Sequence, residues 1–162
     1  MKSHALLQIM ESCAICNLHS NESERAKYEI TRNKLWVLRH HPDPAPLQGW
    51  LLLDSHRHLK GPIDFEPEEA ASWGRAVQSS SRLVQQLTKC DRVYAIAFGE
   101  GAHHLHLHLI PRLQVDPATT AWAVADHYRE ISSSKCAATN INQVAKFVEQ
   151  ARLIIKSFEL GV

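Results

Sequence analysis

The feature that most constrains this chain is an alternation of histidine and leucine over residues 104–109, read as His-Leu-His-Leu-His-Leu. Successive side chains of a β-strand point to opposite faces of a sheet, so a strand here places the three imidazoles on one face and the three leucines on the other. A helix, which turns by about 100° per residue, would scatter both sets. The alternation therefore predicts a strand with an apolar face toward a core and a histidine face toward a site.

The row of imidazoles predicts a functional site, because imidazole is costly to bury without hydrogen-bond partners. A purely structural role is hard to reconcile with three histidines at period two and a fourth at His103. Chemistry alone leaves two classes of site open. The three imidazoles can hold a catalytic ion such as zinc, as in a three-histidine metalloenzyme. Alternatively, one histidine acts as a nucleophile or an acid/base, with its tautomer fixed by a neighbouring group.

A second motif lies near the N-terminus, where Cys13 and Cys16 form a CxxC pair. Two thiolates at this spacing commonly supply half of a tetrahedral zinc site. A redox pair is one alternative, but that motif opens a helix after a strand, and no strand-like run precedes Cys13. Two small buried thiols without a metal are the other alternative. The zinc interpretation needs two more ligands, and His56, His58 and His104 are the candidates.

Together these motifs resemble those of the histidine-triad (HIT) superfamily of nucleotide hydrolases and transferases. The superfamily's signature, His-φ-His-φ-His-φ-φ with φ apolar, is matched by residues 104–110, and an N-terminal CxxC marks its zinc-bearing branch. A family stretch Gly-His-x-Leu-Val-x-Pro-Lys-x-His is matched in part by residues 49–58. The resemblance extends from residue 13 to residue 112, and the triad is its most specific part.

The resemblance implies a role for each matched residue. The middle triad histidine, His106, is the expected nucleophile, which attacks the α-phosphate of a nucleotide or nucleotide conjugate and forms a covalent nucleotidyl-histidine. His108 is expected to orient that nucleophile or to contact the phosphate. Further substrate contacts are expected from Trp50, which replaces the histidine of the family's Gly-His pair, from Gly101 in the loop before the triad, and from Arg112 just after it.

The resemblance also implies a Cys₂His₂ zinc site made of Cys13, Cys16, His58 and His104. Such a zinc ion is expected to be structural, because four protein ligands leave no open position for a substrate or a water. It would fix the N-terminal segment to the sheet beside the nucleophile.

The chain departs from the superfamily in the apparatus that handles phosphate. The family usually carries a Gln and then a Ser or Thr shortly before the triad, whereas residues 100–103 here read Glu-Gly-Ala-His and offer no hydroxyl. The preceding strand usually ends in an Asn, which is absent after residues 94–98. These departures keep two alternatives to catalysis by His106 open: a zinc-stabilised nucleotide-binding protein with little or no turnover, and the three-histidine metalloenzyme.

Length and composition limit the function classes further. A chain of 162 residues fits one domain with its own core. The net charge of +1 and the pI of ≈ 7.8 argue against general nucleic-acid binding. No apolar run approaches membrane length, so no membrane association is expected. The four cysteines do not suggest a disulfide framework, and a cytoplasmic location is the default expectation.

Periodicity predicts an α+β fold, a HIT-like antiparallel sheet of about five strands with packed helices. The prediction is one domain over residues 1–162, with a core at about 13–112 and a helical C-terminal extension at 113–162. In that extension Trp122 and Tyr128 are expected to pack, while His19 near the N-terminus is expected at the surface. The superfamily commonly forms dimers, so the resemblance keeps a homodimer open. The predicted strands are 27–31, 35–39, 50–54, 93–98 and 104–110, and the predicted helices are 66–89, 118–131 and 142–158.

Overall fold

The computed structural model describes residues 12–155, which form a five-stranded antiparallel sheet with helices on both faces. The strand order across the sheet is β1-β2-β3-β5-β4, and every neighbouring pair is antiparallel. This confirms the predicted fold class, and the last two strands form an antiparallel hairpin. The strands are β1 (Glu29–Arg32), β2 (Trp36–His40), β3 (Leu51–Ser55), β4 (Arg92–Ile96) and β5 (His106–Arg112).

Within the described residues, five α-helices cover the sheet, and two 3₁₀ turns, Pro62–Asp64 and Pro117–Thr119, precede the third and fourth of them. Helices α3 and α5 contact each other and pack on the core face, whereas α1 and α4 lie on the opposite face. Within residues 12–155, no helix combines the length and the apolar character that a membrane span requires. The helices are α1 (Ala14–Ser20), α2 (Glu22–Tyr28), α3 (Pro67–Thr88), α4 (Val124–Ser132) and α5 (Ile141–Ile155).

The leucines of the alternating segment face the core, as predicted. Leu105, Leu107 and Leu109 are 4%, 8% and 0% exposed and belong to the main apolar cluster. The register pairs Leu107 with Leu53 and Leu109 with Leu51, so the same face of β3 is apolar. The opposite face of these strands is left to carry the polar side chains of the site.

The strand predicted over residues 104–110 begins two residues later than predicted, at His106. Only half of the next ladder pair forms: the carbonyl of Leu105 accepts at 3.1 Å from the N–H of Ser55, which the register places opposite it, but the N–H of Leu105 donates to the carbonyl of Leu59 at 2.7 Å. The regular ladder therefore ends at residues 104–105, and the side chain of His104 leaves the row formed by the next two histidines.

Helix α3 begins and ends close to the predicted positions, and α5 begins within one residue of its predicted start. Pro67 starts α3, the side chains of Glu66 and Glu69 form a reciprocal capping box, and the left-handed Lys89 ends the helix. Helix α5 presents an apolar stripe to the core at spacings of three and four residues: Val144, Phe147, Val148, Ala151 and Ile155. The predicted end of this helix at residue 158 lies outside the described residues.

The prediction of one helix over 118–131 is wrong in its first half. Residues 117–119 form a 3₁₀ turn, because the hydroxyl of Thr119 bonds to both the N–H and the carbonyl of Leu113 and holds the chain in a compact loop. Trp122 then lies in the connection to α4 and is 93% exposed, so the expectation that it packs is also wrong. Tyr128 on α4 does pack against the sheet.

Candidate functional site

The polar face of the sheet forms the floor of a cleft. The register pairs Leu52 of β3 with Arg39 of β2 on one side and with His108 of β5 on the other. Two residues further along β3, on the same face, Asp54 pairs with His106. The cleft has a volume of ≈ 310 Å³. Its walls come from α1, from the segment after β2, from the β4–β5 loop at 99–102 and from α4. The two later triad histidines both line this cleft, whereas His104 does not.

The half-buried His106 is held in one tautomer by the backbone. Its Nδ1 lies 2.6 Å from the carbonyl oxygen of His104, so the proton of the neutral ring is on Nδ1, where it donates to this acceptor. The lone pair is then on Nε2. An imidazole with its proton held on one nitrogen and its lone pair on the other is arranged to act as a nucleophile or a base.

His108 is held in the opposite tautomer by Trp50. The indole N–H of Trp50 donates to Nδ1 of His108 at 2.9 Å, so the imidazole proton of His108 is on Nε2. Burial lowers the pKa of His108 to about 2, which keeps the ring neutral. Nε2 is buried and has no hydrogen-bond partner among residues 12–155. The centroids of the His106 and His108 rings are 5.1 Å apart. The lone pair of His106 therefore lies close to the unused N–H of His108.

The remaining residues expected to touch substrate have different positions. Gly101 lines the cleft. Trp50 is fully buried and acts on the cleft through His108, with its ring stacked on Tyr128 at 5.5 Å. Arg112 is turned away, because its guanidinium donates to the carbonyl of Leu113 and to the hydroxyl of Thr119 at 3.2 Å. Arg112 therefore orders the loop after β5 and lies outside the cleft lining.

Cys13, Cys16, His58 and His104 come together beside the cleft. Their ligand atoms all lie within 4.8 Å of one another. The Sγ of Cys16 is 3.3 Å from Nδ1 of His58 and 3.4 Å from Nδ1 of His104, and the Sγ of Cys13 is 3.6 Å from Nδ1 of His104. A tetrahedral zinc ion requires sulfur–nitrogen separations of about 3.6 Å. His56 is exposed, with its Nδ1 3.2 Å from the carbonyl of Lys34, so His58 rather than His56 belongs to the cluster.

The chemistry of this cluster also fits zinc. Nε2 of His104 donates to the carbonyl of Ser55 at 2.8 Å, which leaves the Nδ1 lone pair toward the cysteines, as ligating histidines usually do. Burial lowers the pKa of His104 to about 4, so its ring is neutral. Burial and the adjacent Cys13 thiol raise the pKa of Cys16 to about 12, so thiolates here need a bound cation. The donor set of two sulfurs and two imidazoles is one that zinc prefers.

The triad does not form a three-histidine metal site. Nδ1 of His104 faces the cysteines, that of His106 faces a backbone carbonyl, and that of His108 accepts from an indole. Within the described part of the chain, the Cys₂His₂ group is the one set of three or more His, Cys, Asp or Glu side chains that lie close enough together to bind one metal ion. The three imidazoles therefore have three separate partners, and the metalloenzyme alternative has no geometric support.

Sequence reasoning missed a buried ionic group next to His106. His19, expected at the surface, is 8% exposed, and its Nε2 lies 2.8 Å from Oδ2 of Asp54. Arg39 donates to the same carboxylate through Nε at 2.6 Å and through Nη2 at 3.3 Å. Burial alone would raise the pKa of Asp54, but Arg39 and His19 hold it at about 2, so the carboxylate is ionised. The sequence contained one indication of this ionic group, because Asp54 is a charged residue in a largely apolar strand.

An aromatic wall was missed as well, because its members come from distant segments. Phe98 and Tyr128 both line the cleft and stack at 5.8 Å with an interplanar angle of 5°. The side chain of His41 lies against Tyr128, with Nε2 3.4 Å from the phenol oxygen and Nδ1 2.7 Å from the carbonyl of Pro42. Burial lowers the pKa of His41 to about 4, so this wall is uncharged. The C-terminal extension thus contributes directly to the cleft.

Solved histidine triad proteins are similar to this chain in structure. A zinc-bound histidine triad family protein from Mycobacterium smegmatis is 17% identical, with a TM-score of 0.64 over 93% of this chain and 99% of the other. A histidine triad protein from Bradyrhizobium japonicum is 22% identical, with a TM-score of 0.60 over 82% and 94%. A hypothetical histidine triad nucleotide-binding protein from Sulfolobus tokodaii strain7 is 16% identical, with a TM-score of 0.58 over 89% and 92%.

No protein-family model and no curated protein matches the chain. Identities this low establish architecture rather than activity. The sheet order, the cleft on its polar face and the likeness to these structures nevertheless agree with one another. The chain therefore has the fold of the histidine triad proteins.

Proposed function

We propose that this protein is a nucleotide hydrolase or nucleotidyltransferase that acts on the α-phosphate of a nucleotide through a covalent nucleotidyl-histidine at His106. The observation that carries the proposal is the pair of opposite tautomers in the cleft: a lone pair on Nε2 of His106 beside an unused N–H on Nε2 of His108. A nucleophile next to a buried donor is what displacement at a phosphorus atom needs. The Sulfolobus tokodaii structure is described as nucleotide-binding, which supports the substrate class.

The proposed reaction has two displacements. Nε2 of His106 attacks the α-phosphorus, a P–N bond forms, and the bond from phosphorus to the leaving oxygen breaks. The carbonyl of His104 accepts a hydrogen bond from Nδ1 and stabilises the cationic ring, while His108 donates to a non-bridging phosphate oxygen. Water or another acceptor then breaks the P–N bond and regenerates the imidazole. Splitting one difficult step into two easier ones is the gain of covalent catalysis.

The residues of the β4–β5 loop limit which leaving groups we expect the protein to use. Residues 99–102 line the cleft but carry no hydroxyl that could protonate a departing atom. A leaving group that departs without protonation should therefore react best, such as sulfate or a nucleoside polyphosphate. Amines, which must be protonated as they leave, should react more slowly.

The proposed zinc ion has a structural role, since Cys13, Cys16, His58 and His104 fill a tetrahedral shell. His104 links the ion to the chemistry. Its ring belongs to the metal cluster, and its carbonyl oxygen accepts the Nδ1 proton of His106. Fixing the ring of His104 therefore also fixes the group that sets the tautomer of the nucleophile.

The test offers nucleoside phosphoramidates, adenylyl sulfate and dinucleoside polyphosphates to the zinc-loaded wild type and to His106→Ala, with and without chelator. Turnover should be lost in His106→Ala and should survive brief chelation, since no free divalent ion takes part. His56→Ala is the matched control, because His56 is exposed and outside the metal cluster. A rate in His106→Ala equal to that of the wild type would exclude the nucleophile. A nucleotidyl adduct, detected by mass spectrometry after rapid quenching, would support it directly.

The second candidate function is a nucleotide-binding protein with little or no turnover. The specific observation that favours it is the absence of any hydroxyl side chain from the loop at residues 99–103. The same experiment separates the two candidates. Mononucleotide binding without turnover of any of the three substrate classes would favour the binding protein.

Replacing Cys13 and Cys16 together by serine tests the metal. We expect the double variant to lose one zinc per chain and to melt at a lower temperature, because metal binding at such sites is coupled to folding. Cys136→Ser is the control, since Cys136 is exposed and outside the cluster. Full zinc occupancy in the double variant, measured by elemental analysis, would contradict the assignment.

A cytoplasmic location and a homodimer belong to the same proposal and stay predictions. Light scattering on the zinc-loaded chain at micromolar concentration would give the oligomeric state. A monomer mass at all concentrations would contradict the dimer without affecting the proposed chemistry.

A further inference from the structure

The cleft contains a buried cation that the proposed reaction does not use. The side chain of Arg39 is 3% exposed and lies in β2, a strand whose five residues are all buried. Two of its nitrogens donate to Asp54, but Nη1 is buried and has no hydrogen-bond partner among the described residues. A buried guanidinium N–H without an acceptor has lost its hydration without gaining a hydrogen bond, which destabilises the fold. Such a group is rarely left unpaired in a protein, so the unpaired Nη1 indicates that a ligand supplies the missing acceptor.

Arg39 lies where the nucleoside part of a substrate would reach. The floor of the cleft runs from His108 across Leu52 to Arg39, one residue on each of three neighbouring strands. Adjacent strands are about 4.8 Å apart, so Arg39 is about 10 Å from His108 across the sheet. A nucleotide with its α-phosphate at the two triad histidines would extend over Leu52 and bring the base to Arg39.

The walls of this half of the cleft suit a flat ring. The lining of the cleft includes the apolar side chains of Ile15 and Leu18 from α1 and of Pro42 after β2. These side chains can contact a flat ring but offer no polar atom that could select among bases. Selection therefore needs a polar lining residue, and Arg39 has a buried N–H without a partner among the described residues.

The chemistry of Arg39 determines which edge it can recognise. A guanidinium only donates hydrogen bonds, and its charge here is already offset by the ionised Asp54. A neutral carbonyl oxygen fits such a donor better than a second phosphate would. Guanine and hypoxanthine present O6 and N7 as acceptors and uracil presents O4, whereas adenine places its amino group, a donor, at the same edge.

We propose that Arg39 reads a carbonyl oxygen of the nucleobase through Nη1, so that the cleft prefers oxo-base nucleotides over adenine nucleotides. The inference rests on the proposed function, since it assumes that a nucleotide occupies the cleft. A site built to hydrogen-bond one group discriminates strongly against an analogue that lacks it, because the polar atom of the protein is then left unpaired.

The wild-type protein gives the first test. Inosine 5′-monophosphate and purine ribonucleoside 5′-monophosphate differ in whether they carry O6, and calorimetry on the zinc-loaded chain gives both dissociation constants. We expect the inosine nucleotide to bind about 10- to 100-fold more tightly, the range for a hydrogen bond to a charged group, and adenosine 5′-monophosphate to resemble the purine nucleotide. Equal affinities would overturn the inference and leave the proposed function intact. If none of the three nucleotides bound, both would be overturned.

A variant pair assigns the discrimination to its residue. Arg39→Met alone would leave Asp54 buried and unpaired, so it is combined with Asp54→Asn, and circular dichroism checks that the double variant folds. We expect the two purine nucleotides to bind this variant equally well. Arg25→Met is the control, since Arg25 of α2 pairs with Glu29 of β1 and lies outside the cleft. Discrimination that persists in the double variant would exclude Arg39 as its source.

Discussion

The hydrogen bond from Trp50 to His108 gives the most informative perturbation, because it separates the tautomer of one histidine from the stability of the fold. Trp50→Phe removes the indole N–H and keeps an aromatic ring in the same fully buried place. The proton of His108 is then no longer directed to Nε2. We expect a mixture of tautomers, in which part of the population presents a lone pair to the phosphate in place of a donor.

The chain provides a matched control for this change. Trp36 is also fully buried, and its indole N–H also donates at 2.9 Å to a side chain, the hydroxyl of Ser72. Trp36 faces the core on the other side of the sheet, away from the cleft. Ser72 keeps its bond to the carbonyl of Glu68 at 2.9 Å when the indole is removed.

Both variants should be less stable than the wild type, but only one should affect the site. Loss of a buried hydrogen bond costs about 1–3 kcal/mol, and the atoms lost with the smaller ring add roughly 1–2 kcal/mol. Urea unfolding should therefore give losses of about 2–5 kcal/mol for Trp50→Phe and no more than that for Trp36→Phe. If the protein turns over nucleotides, Trp50→Phe should lower kcat in proportion to the fraction of His108 that loses its Nε2 proton, up to about 100-fold for complete loss of the donor, and Trp36→Phe should not.

Nitrogen-15 NMR of histidine-labelled protein measures the tautomer without any assumption about activity. Wild type and Trp36→Phe should show a protonated Nε2 at His108, and Trp50→Phe should show that signal shifted toward an exchange average. An unchanged His108 signal in Trp50→Phe would refute the reasoning. So would an equal loss of turnover in the two tryptophan variants.

Two further predictions concern the sheet. Leu107→Ala should lower the free energy of unfolding by about 2–5 kcal/mol in urea, whereas Leu153→Ala, at a position 72% exposed, should change it little; similar values for both would mean that the core face is misassigned. Because the folded-state pKa of Asp54 is depressed to about 2, the stabilisation from its pairing with Arg39 and His19 is present above the unfolded-state pKa near 4 and is lost as the pH falls toward 2. The difference in unfolding free energy between the wild type and Asp54→Asn should shrink by about 2 kcal/mol across that range, and a difference independent of pH would contradict the pairing.

Local periodicity predicted the parts of this fold that depend on local chemistry. The alternation over residues 104–109 predicted which side chains enter the core, because a period of two determines the face of a strand wherever the strand is placed. Apolar periodicity predicted α3 and the start of α5 for a similar reason, because it depends only on local spacing. The error at residues 104–105 has a non-local cause, since the carbonyl that draws Leu105 out of the ladder belongs to Leu59.

Burial of polar residues was harder to predict, because it depends on partners distant in sequence. His19 was expected at the surface, yet it is buried by its bond to Asp54, which lies 35 positions away. The sequences of β2 and β3 did indicate a buried ion pair. Arg39 and Asp54 each interrupt an apolar run, and opposite charges inside two buried strands must pair with each other or with a ligand.

The triad shows why position in a motif does not by itself assign a role. Each of its three imidazoles could in principle ligate a metal, attack a phosphate or donate to one. The difference comes from the group that bonds the other ring nitrogen: the carbonyl of Ser55 for His104, the carbonyl of His104 for His106, and the indole of Trp50 for His108. Two of these partners lie on or next to β3, so the proposed roles depend on the pairing of β3 with β5. A one-residue slip in that register would keep the motif and lose the chemistry.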